Sequence, residues 1–227
     1  MPFLKKSNKI EPLRKQWEKQ TYKTGLRHAV FNIPGDKYIG EWKTNKKHGK
    51  GSLYTRSRTL YEGDWVHNYR HGHGVLSEKQ SNDVYKIQYV GEWRNGKKQG
   101  HGIYSYSDGS WYQGEWKNGE RHGIGLCVLP DGSFYYGQWE NDKYHGLGLY
   151  VKANGNRYEG EWHCGNKHGH GKFYHLKSGQ LQEGVWRDNI CVRSNMTDIY
   201  FRQSAPEPTN YPIPEISVTD GHQEQQF

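Results

Sequence analysis

Histidine is the residue type whose spacing in this sequence first suggests chemistry. Five histidines share one position of a recurring pattern: His48, His71, His122, His145 and His168. Imidazole is a common metal ligand, but two strands per interval would separate neighbouring histidines by about 10 Å. Ligands so far apart cannot share one ion with bonds of about 2 Å. The pairs His71/His73 and His168/His170 supply only two of the four ligands of a structural site, so no metal or other cofactor is predicted.

Basic residues form a second recurring set. They follow the tryptophans of the pattern at Lys46, Lys47, Arg70, Lys97, Lys98, Arg121, Lys143 and Lys167. If the intervals stack in register, these side chains run along one long edge and can contact anionic lipid or an acidic protein. The alternative is that they only keep this edge soluble. Nucleic acid is not favoured, because no base-reading motif is present.

The sequence contains no recognisable catalytic constellation. It lacks a Gly-x-Ser-x-Gly motif, a phosphate-binding Gly-Lys-Ser/Thr loop and a paired Cys/His nucleophile set. The three cysteines, Cys127, Cys164 and Cys191, are odd in number and lack metal-ligand spacing, which argues against a disulfide framework. We therefore expect a protein that is not an enzyme.

The element that must position all of these residues is a repeat. The unit Tyr-x-Gly-x-Trp is followed seven residues later by Gly-x-Gly, as in Tyr112–Trp116 and Gly123–Gly125. The first glycines of the units are residues 40, 63, 91, 114, 137, 160 and 184. Five intervals are 23 or 24 residues and one is 28, and a fixed period of this size indicates a repeat architecture. The last copy, at 182–186, has lost its tyrosine and both later glycines.

Each unit has the alternation of a β-hairpin. In the fourth unit we predict a four-residue turn at 118–121, which places Trp116 opposite Gly123, Gly114 opposite Gly125 and Tyr112 opposite Cys127. A three-residue turn at 130–132 then keeps the next tyrosine and tryptophan on the same face. Aromatic rings are expected to cover the glycines of this face. The five extra residues of the long interval are expected in an enlarged loop at 78–86.

The predicted fold is all-β, with tandem hairpins forming one elongated, twisted antiparallel sheet. Residues 1–35 form an N-terminal extension, with a possible short helix at 11–20 and a lead strand at 26–33. Residues 36–193 hold seven repeats, and residues 194–227 form a proline-containing extended or disordered tail. The front aromatic face is expected to be mainly structural, although it could also line a groove for a peptide.

The unit resembles the MORN repeat (membrane occupation and recognition nexus), and the resemblance covers about residues 36–193. It implies a sheet of hairpins that acts as a scaffold or adaptor for protein partners. The flanks at 25–27, 35–36, 205–209 and 211–215 resemble those of an animal member linked with sperm development and flagella. That resemblance implies a setting in spermatogenesis, in the flagellum or cilium, or at the acrosome.

Composition limits where the chain works and what it binds. Only 32% of residues are hydrophobic, the formal net charge is +8 and the pI is about 9.2. A positive charge favours acidic protein or anionic phospholipid as partners, although solubility alone explains it as well. The first ten residues lack an apolar signal core, and no apolar run reaches the roughly 20 residues of a membrane span. We expect a cytoplasmic protein that is neither secreted nor membrane-spanning.

The parity of the strands also predicts an apolar patch on the back of the sheet. Its residues are Ile103, Ile124, Leu126, Val128, Tyr136, Leu147, Leu149 and Val151. Exposed apolar clusters usually mark interaction sites, so this patch is the candidate surface for a partner or for self-association. The alternative is that the chain's own ends cover it, through Leu13 and Trp17 or through Ile213 and Ile216.

Overall fold

The fold was determined as a computed structural model, which describes residues 22–199 and Lys15. Residues 22–199 form one sheet of fifteen antiparallel strands that lie side by side in chain order. The strands are β1 Gly25–Phe31, β2 Lys37–Lys43, β3 Lys46–Tyr54, β4 Thr59–Val66, β5 Tyr69–Lys79, β6 Tyr85–Arg94, β7 Lys97–Ser105, β8 Trp111–Lys117, β9 Glu120–Val128, β10 Phe134–Glu140, β11 Lys143–Val151, β12 Arg157–His163, β13 Asn166–His175, β14 Gln180–Arg187 and β15 Ile190–Asp198. The all-β sheet of tandem hairpins is confirmed.

The ends of the chain lie largely outside the described residues. Lys15 is helical, and the rest of the helix predicted at 11–20 is not described. The same holds for the tail from residue 200 and for all four residues proposed to cover the back of the sheet. The division into extension, repeats and tail therefore stays a prediction.

The turn within each hairpin is tighter than the sequence suggested. Lys117 pairs with Glu120, and only Asn118 and Gly119 connect them, both with positive φ (56° and 98°). Two residues with positive φ are typical of a type I′ turn, whose twist matches that of the strands. The predicted four-residue turn is therefore wrong.

A two-residue bulge restores the register that the shorter turn would have shifted by two residues. Gly123 and Ile124 have no partner on β8, and beyond them Gly114 pairs with Gly125 as predicted. The predicted pairing of Trp116 with Gly123 is wrong, because Trp116 pairs with Arg121. Gly123 instead pairs with Trp139 of the next repeat. The repeat tryptophans from Trp65 to Trp186 thus each face a glycine of the preceding repeat, across the boundary between hairpins.

The turn between repeats has the predicted length. The Leu129 N–H donates a hydrogen bond to the Ser133 carbonyl at 2.8 Å, and the Gly132 N–H donates one to the Leu129 carbonyl at 3.0 Å. Gly132 has a φ of 83°, the left-handed conformation that closes such a loop. The glycines at 109 and 155 close equivalent turns.

The long interval does not contain the enlarged loop that we expected at 78–86. β5 continues to Lys79 and β6 begins at Tyr85, where the two residues pair. The Gln80 N–H donates to the Val84 carbonyl at 2.8 Å, so the loop has the usual three residues, 81–83. Each of the two strands is two residues longer than usual, and one further residue forms a bulge near Leu76. These account for the five extra residues.

The core is a row of aromatic side chains on the front of the sheet. The six repeat tyrosines are at most 2% exposed: Tyr38, Tyr61, Tyr89, Tyr112, Tyr135 and Tyr158. Each ring lies edge-to-face between two tryptophans, as Tyr112 lies 5.1 Å from Trp116 and 5.2 Å from Trp139. The Trp139 indole N–H donates to the Gly125 carbonyl at 3.1 Å. Neighbouring repeats therefore bury each other's rings without a second layer.

Candidate binding surfaces of the sheet

Five of the eight basic residues predicted at the edge fold over the aromatic face. Lys47, Arg70, Lys98, Arg121 and Lys167 are half-buried. The Lys98 Nζ lies 3.9 Å from the centroid of Trp116, and the Arg121 guanidinium lies 4.3 Å from that of Trp139. These are cation–π distances. In these repeats the tryptophan pairs with the second residue of the return strand, which places the basic side chain on the front face. The sequence pattern did not predict this role.

The surroundings of the half-buried lysines shift their pKa values. Burial lowers the pKa of Lys98 to about 8, although Asp142 opposes this shift. Asp142 also accepts a hydrogen bond of 2.9 Å from Arg121 Nε. Burial likewise lowers the pKa of Lys47, and Asp36 opposes the shift. In these repeats an acid of the same chain offsets the cation of the aromatic face.

The other three basic residues are exposed at the hairpin ends. Lys46 pairs with Lys43 and Lys97 pairs with Arg94, which gives two basic doublets, whereas Lys143 pairs with Glu140. All three residues begin return strands, so they lie on the same long side of the sheet. The anionic contact predicted for this side depends on these three rather than on all eight residues.

The acid or amide that follows the first glycine of a repeat has a structural role that the sequence did not reveal. Glu115 Oε1 accepts a hydrogen bond of 3.0 Å from the N–H of Ile124 in the bulge. Gln138 does the same for Leu147 at 2.8 Å. The preceding residue of the bulge, Gly123, has a φ of 58°, which only glycine adopts readily. The acid or amide and the glycine together define the bulge.

The predicted apolar patch lies on the back of the sheet, in a continuous row of cross-strand neighbours. Tyr136 pairs with Leu126 on one side and with Leu149 on the other. Leu126 pairs with Gln113, which pairs with Ile103. The structure extends this row through Val90 and Val75. Direct cross-strand neighbours on one face interact, so the row is a single surface.

The patch is exposed to different degrees along its length. Leu147 is 65% exposed, Tyr136 is 53% exposed, and Ile103 and Ile124 are each 43% exposed. Leu126, Val128, Leu149 and Val151 are half-buried. A shallow groove on this face is lined by Ile103, Ile124, Leu126 and Tyr136, with Gln113 between them. No described residue covers it, and its binding role stays a prediction.

The five equivalent histidines lie at the bulges on the same back face as the acidic residues. His122 pairs with Glu115, and His145 Nδ1 lies 3.4 Å from Glu140 Oε2. His163, which the pattern did not mark, lies between His145 and His168, with its ring centroid 5.6 Å from each. In residues 22–199 no three His, Cys, Asp or Glu side chains form a group that could hold a metal ion. Over the same residues, no helix has the length and apolar character needed to cross a membrane.

The tandem hairpins and their Tyr-x-Gly-x-Trp units define a MORN repeat protein. The family model of the MORN repeat matches residues 38–58, 61–77, 89–111, 112–134, 135–157 and 158–175. These matches span more than half of the chain, which therefore belongs to the MORN repeat family. The degraded seventh copy lies outside them.

Curated relatives extend the similarity over nearly the whole chain. The sequence is 60% identical to MORN repeat-containing protein 3 of Bos taurus over 97% of this chain and 92% of the relative. It is 59% identical to the protein of the same name from Homo sapiens, with the same coverage. For the Xenopus laevis protein the identity is 52%, over 97% of this chain and 93% of the relative.

Proposed function

We propose that this chain is a non-enzymatic scaffold that binds protein partners through the apolar patch on the back of its sheet. The observation that carries the proposal is the row Ile103–Gln113–Leu126–Tyr136–Leu149, which leaves large apolar side chains exposed. Burial of each such side chain contributes about 1.5–3 kcal/mol. Covering the patch with a partner therefore provides a large driving force for association.

The distribution of the patch supports a role in binding rather than folding. Ser52 and Lys172 occupy the repeat position of Leu126 in the first and sixth repeats, and both repeats fold with polar residues there. The fold thus tolerates polar side chains at this position, and the apolar residues of the central repeats serve another purpose. The rigid sheet presents them without rearrangement, which reduces the entropic cost of binding.

We further propose that this scaffold works in the cytoplasm of the developing sperm cell or in its flagellum. The resemblance of the flanks at 25–27 and 205–215 to a sperm-linked animal member supports this setting. The relatives named MORN repeat-containing protein 3 match this chain almost from end to end, so the flanks are part of the similarity. Immunolocalisation in testis sections and isolated sperm tests this setting.

The experiment for the binding surface is the double variant Leu126→Asp with Leu149→Asp. We expect a folded protein that loses the partners identified by affinity purification of the wild type from testis extract. Because both leucines are half-buried, a second variant, Tyr136→Asp with Leu147→Asp, changes the more exposed side chains with less risk to folding. Ser52→Asp is the matched control, because it introduces the same charge at the equivalent position outside the patch.

The outcomes separate partner binding from self-association and from internal packing. Size-exclusion chromatography with light scattering shows whether the wild type is a dimer that the variants dissociate. If both double variants unfold while Ser52→Asp does not, the patch is packed against the chain's own ends. If both variants fold and keep every partner and the same mass, the binding surface lies elsewhere.

A second candidate function, a peripheral membrane adaptor, is favoured by the exposed basic doublets at Lys46 and Lys97. Binding of anionic liposomes through these residues should weaken steeply with salt. The variant Lys46→Glu with Lys97→Glu and Lys143→Glu should abolish it and leave the circular dichroism unchanged. Residues such as Lys98 are unsuitable for this test, because they cover aromatic rings. Absence of liposome binding by the wild type at low salt excludes this function.

A further inference from the structure

In each of the first four repeats a cation covers the front-face tryptophan of the next repeat, and in the fifth repeat this cation is missing. Lys47, Arg70, Lys98 and Arg121 each cover the tryptophan of the following repeat, at 3.9–4.9 Å from its ring centroid. The equivalent residue of the fifth repeat is Tyr144. Its ring stacks on Tyr135, with centroids 3.8 Å apart, and contacts Trp162 edge-on at 5.3 Å. No described cation therefore covers the Trp162 ring.

A pocket opens on the front face where this cation would lie. Its apolar walls are Tyr144, Tyr150, Trp162 and Phe173, and its polar rim includes Lys152 and Lys167. Tyr150 lies 6.1 Å from Trp162, measured between ring centroids. The pocket is on the opposite side of the sheet from the back-face patch, so it goes beyond the proposed function and does not depend on it.

Lys167 differs from Lys47, Lys98 and Arg121, which Asp36 or Asp142 compensates, because no acid among the described residues compensates it. Lys167 Nζ lies 4.9 Å from the Phe173 centroid and 5.3 Å from that of Tyr158. Burial lowers the pKa of Lys167, and the charge of Lys152 lowers it further. In residues 22–199, no carboxylate oxygen lies within 4.0 Å of either ammonium group. Within the described part of the chain, two neighbouring cations beside aromatic rings are thus left without a carboxylate partner.

We propose that this pocket binds an acidic peptide segment from a protein partner. The carboxylate of a Glu or Asp side chain accepts hydrogen bonds from Lys152 and Lys167, and a neighbouring apolar side chain packs against Tyr144 and Trp162. Charge-assisted hydrogen bonds of this kind are among the stronger polar interactions, and the aromatic walls shield the one made by the half-buried Lys167 from water. A cationic ligand is disfavoured because both lysines repel it.

The test uses blocked tetrapeptides as probes: acetyl-Gly-Phe-Glu-Gly-amide, its Phe-Gln counterpart and its Ser-Glu counterpart. Binding is followed in ¹⁵N-correlated NMR spectra through the indole N–H of Trp162, assigned with the variant Trp162→Phe. We expect a saturable shift with the Phe-Glu peptide at millimolar concentration. The other two peptides should bind about tenfold more weakly, because each lacks one of the two features that the pocket recognises.

Variants of the lysines connect the titration to this pocket. Lys152→Gln should weaken binding of the Phe-Glu peptide several-fold; Lys152 is exposed, so folding is not at risk. Lys167→Gln should weaken it at least as much. Lys177→Gln, an exposed lysine outside the pocket, should bind as the wild type does, and so should the back-face variant Tyr136→Asp with Leu147→Asp.

Three results would overturn the inference. The first is no saturable shift with the Phe-Glu peptide, and the second is equal shifts with all three peptides; either shows that the pocket does not recognise an acidic peptide. The third is wild-type affinity in both Lys152→Gln and Lys167→Gln. Vesicles of phosphatidylserine and phosphatidylcholine form a further arm. If they bind in a Lys152-dependent manner while the peptides do not, the pocket recognises a lipid headgroup and the peptide inference is wrong.

Discussion

The phenol ring of Tyr112 lies directly against the backbone of Gly125, across the hairpin from it. A Cβ atom added at Gly125 would lie 2.5 Å from Cζ of that ring, far inside van der Waals contact. The ring cannot move aside easily, because its hydroxyl donates a hydrogen bond of 2.9 Å to the Glu115 carbonyl and tryptophans flank it on both sides. Glycine is therefore required here by the neighbouring ring rather than by a positive φ.

The first prediction is that Gly125→Ala destabilises the fold by about 1–3 kcal/mol, the usual cost of overpacking. The added methyl group should cost much less when the ring is smaller, so Gly125→Ala combined with Tyr112→Leu should be less destabilising than the sum of the two changes. Urea unfolding of the four proteins measures this coupling. Gly119→Ala is the control: it lies in open space, and its effect should add to that of Tyr112→Leu.

The second prediction concerns the acceptor at the bulge. Glu115→Ala leaves the Ile124 N–H without its partner, and we expect a loss of about 1 kcal/mol. Glu115→Gln should cost little, because Gln138 makes the same hydrogen bond in the next repeat. Urea unfolding distinguishes the two variants. Equal losses for alanine and glutamine would mean that the charge, and not the hydrogen bond, matters.

The third prediction is alkaline unfolding driven by the buried tyrosines. Burial raises the pKa of Tyr158 and Tyr144 to about 12 and raises the pKa of Tyr89 and Tyr112 as well. Unfolded tyrosines release their protons near pH 10, so above that pH the folded state binds more protons than the unfolded state. The free energy of unfolding then falls as pH rises, by about 1.4 kcal/mol per pH unit for each tyrosine. Urea midpoints between pH 9 and 12 measure the fall.

Lys98 provides an internal control of opposite sign for this titration. Its pKa of about 8 is below the usual lysine value of 10.5, so between these pH values the folded state binds fewer protons than the unfolded state. The contribution of Lys98 to the free energy of unfolding therefore rises with pH across that window. The variant Lys98→Met should lose the rise and keep the fall above pH 10. A pH-independent stability difference between the two proteins would contradict the shift.

Much of the fold could be predicted because strand parity is a strict constraint. One face had to hold Tyr112, Gly114 and Trp116, and this fixed the pairing of Gly114 with Gly125 and the length of the turn at 130–132. The bulge escaped prediction because a two-residue turn with two unpaired residues has the same parity as a four-residue turn. The pairing of Lys117 with Glu120 and the positive φ values of Asn118 and Gly119 distinguish them.

The binding surfaces were less predictable than the fold. Exposure of the back-face patch followed from alternation, which the sequence shows directly. The position of Lys98 and Arg121 over the aromatic face could not be predicted from alternation, because it depends on their cross-strand pairing with tryptophan. In the structure the turn is shorter than predicted, and this pairing differs from the predicted one by two residues. The pocket at Trp162 could be suspected only by noticing Tyr144 at a position that is basic in five other repeats.

The last prediction is that one whole repeat can be removed without loss of the fold. Deletion of residues 112–134 removes 23 residues, the repeat interval, and joins Trp111 to Tyr135. Gly137 then lies opposite Gly102, and Trp139 lies opposite Gly100 and beneath Lys98, as Trp116 does in the intact chain. Because repeats contact only their neighbours, we expect a cooperative urea transition and a near-ultraviolet circular dichroism spectrum of packed tryptophans.

Deletion of residues 112–133 is the matched control, since it differs by a single residue. It shifts every later side chain by one position, which turns Tyr135 and Trp139 to the back of the sheet and sends Tyr136 to the front. The buried aromatic row would then break at the junction, and the hydrogen bond from the indole of Trp139 could not form. We expect this protein to lose the cooperative transition. If both deletions fold equally well, or both unfold, the parity argument on which the front and back faces rest is wrong.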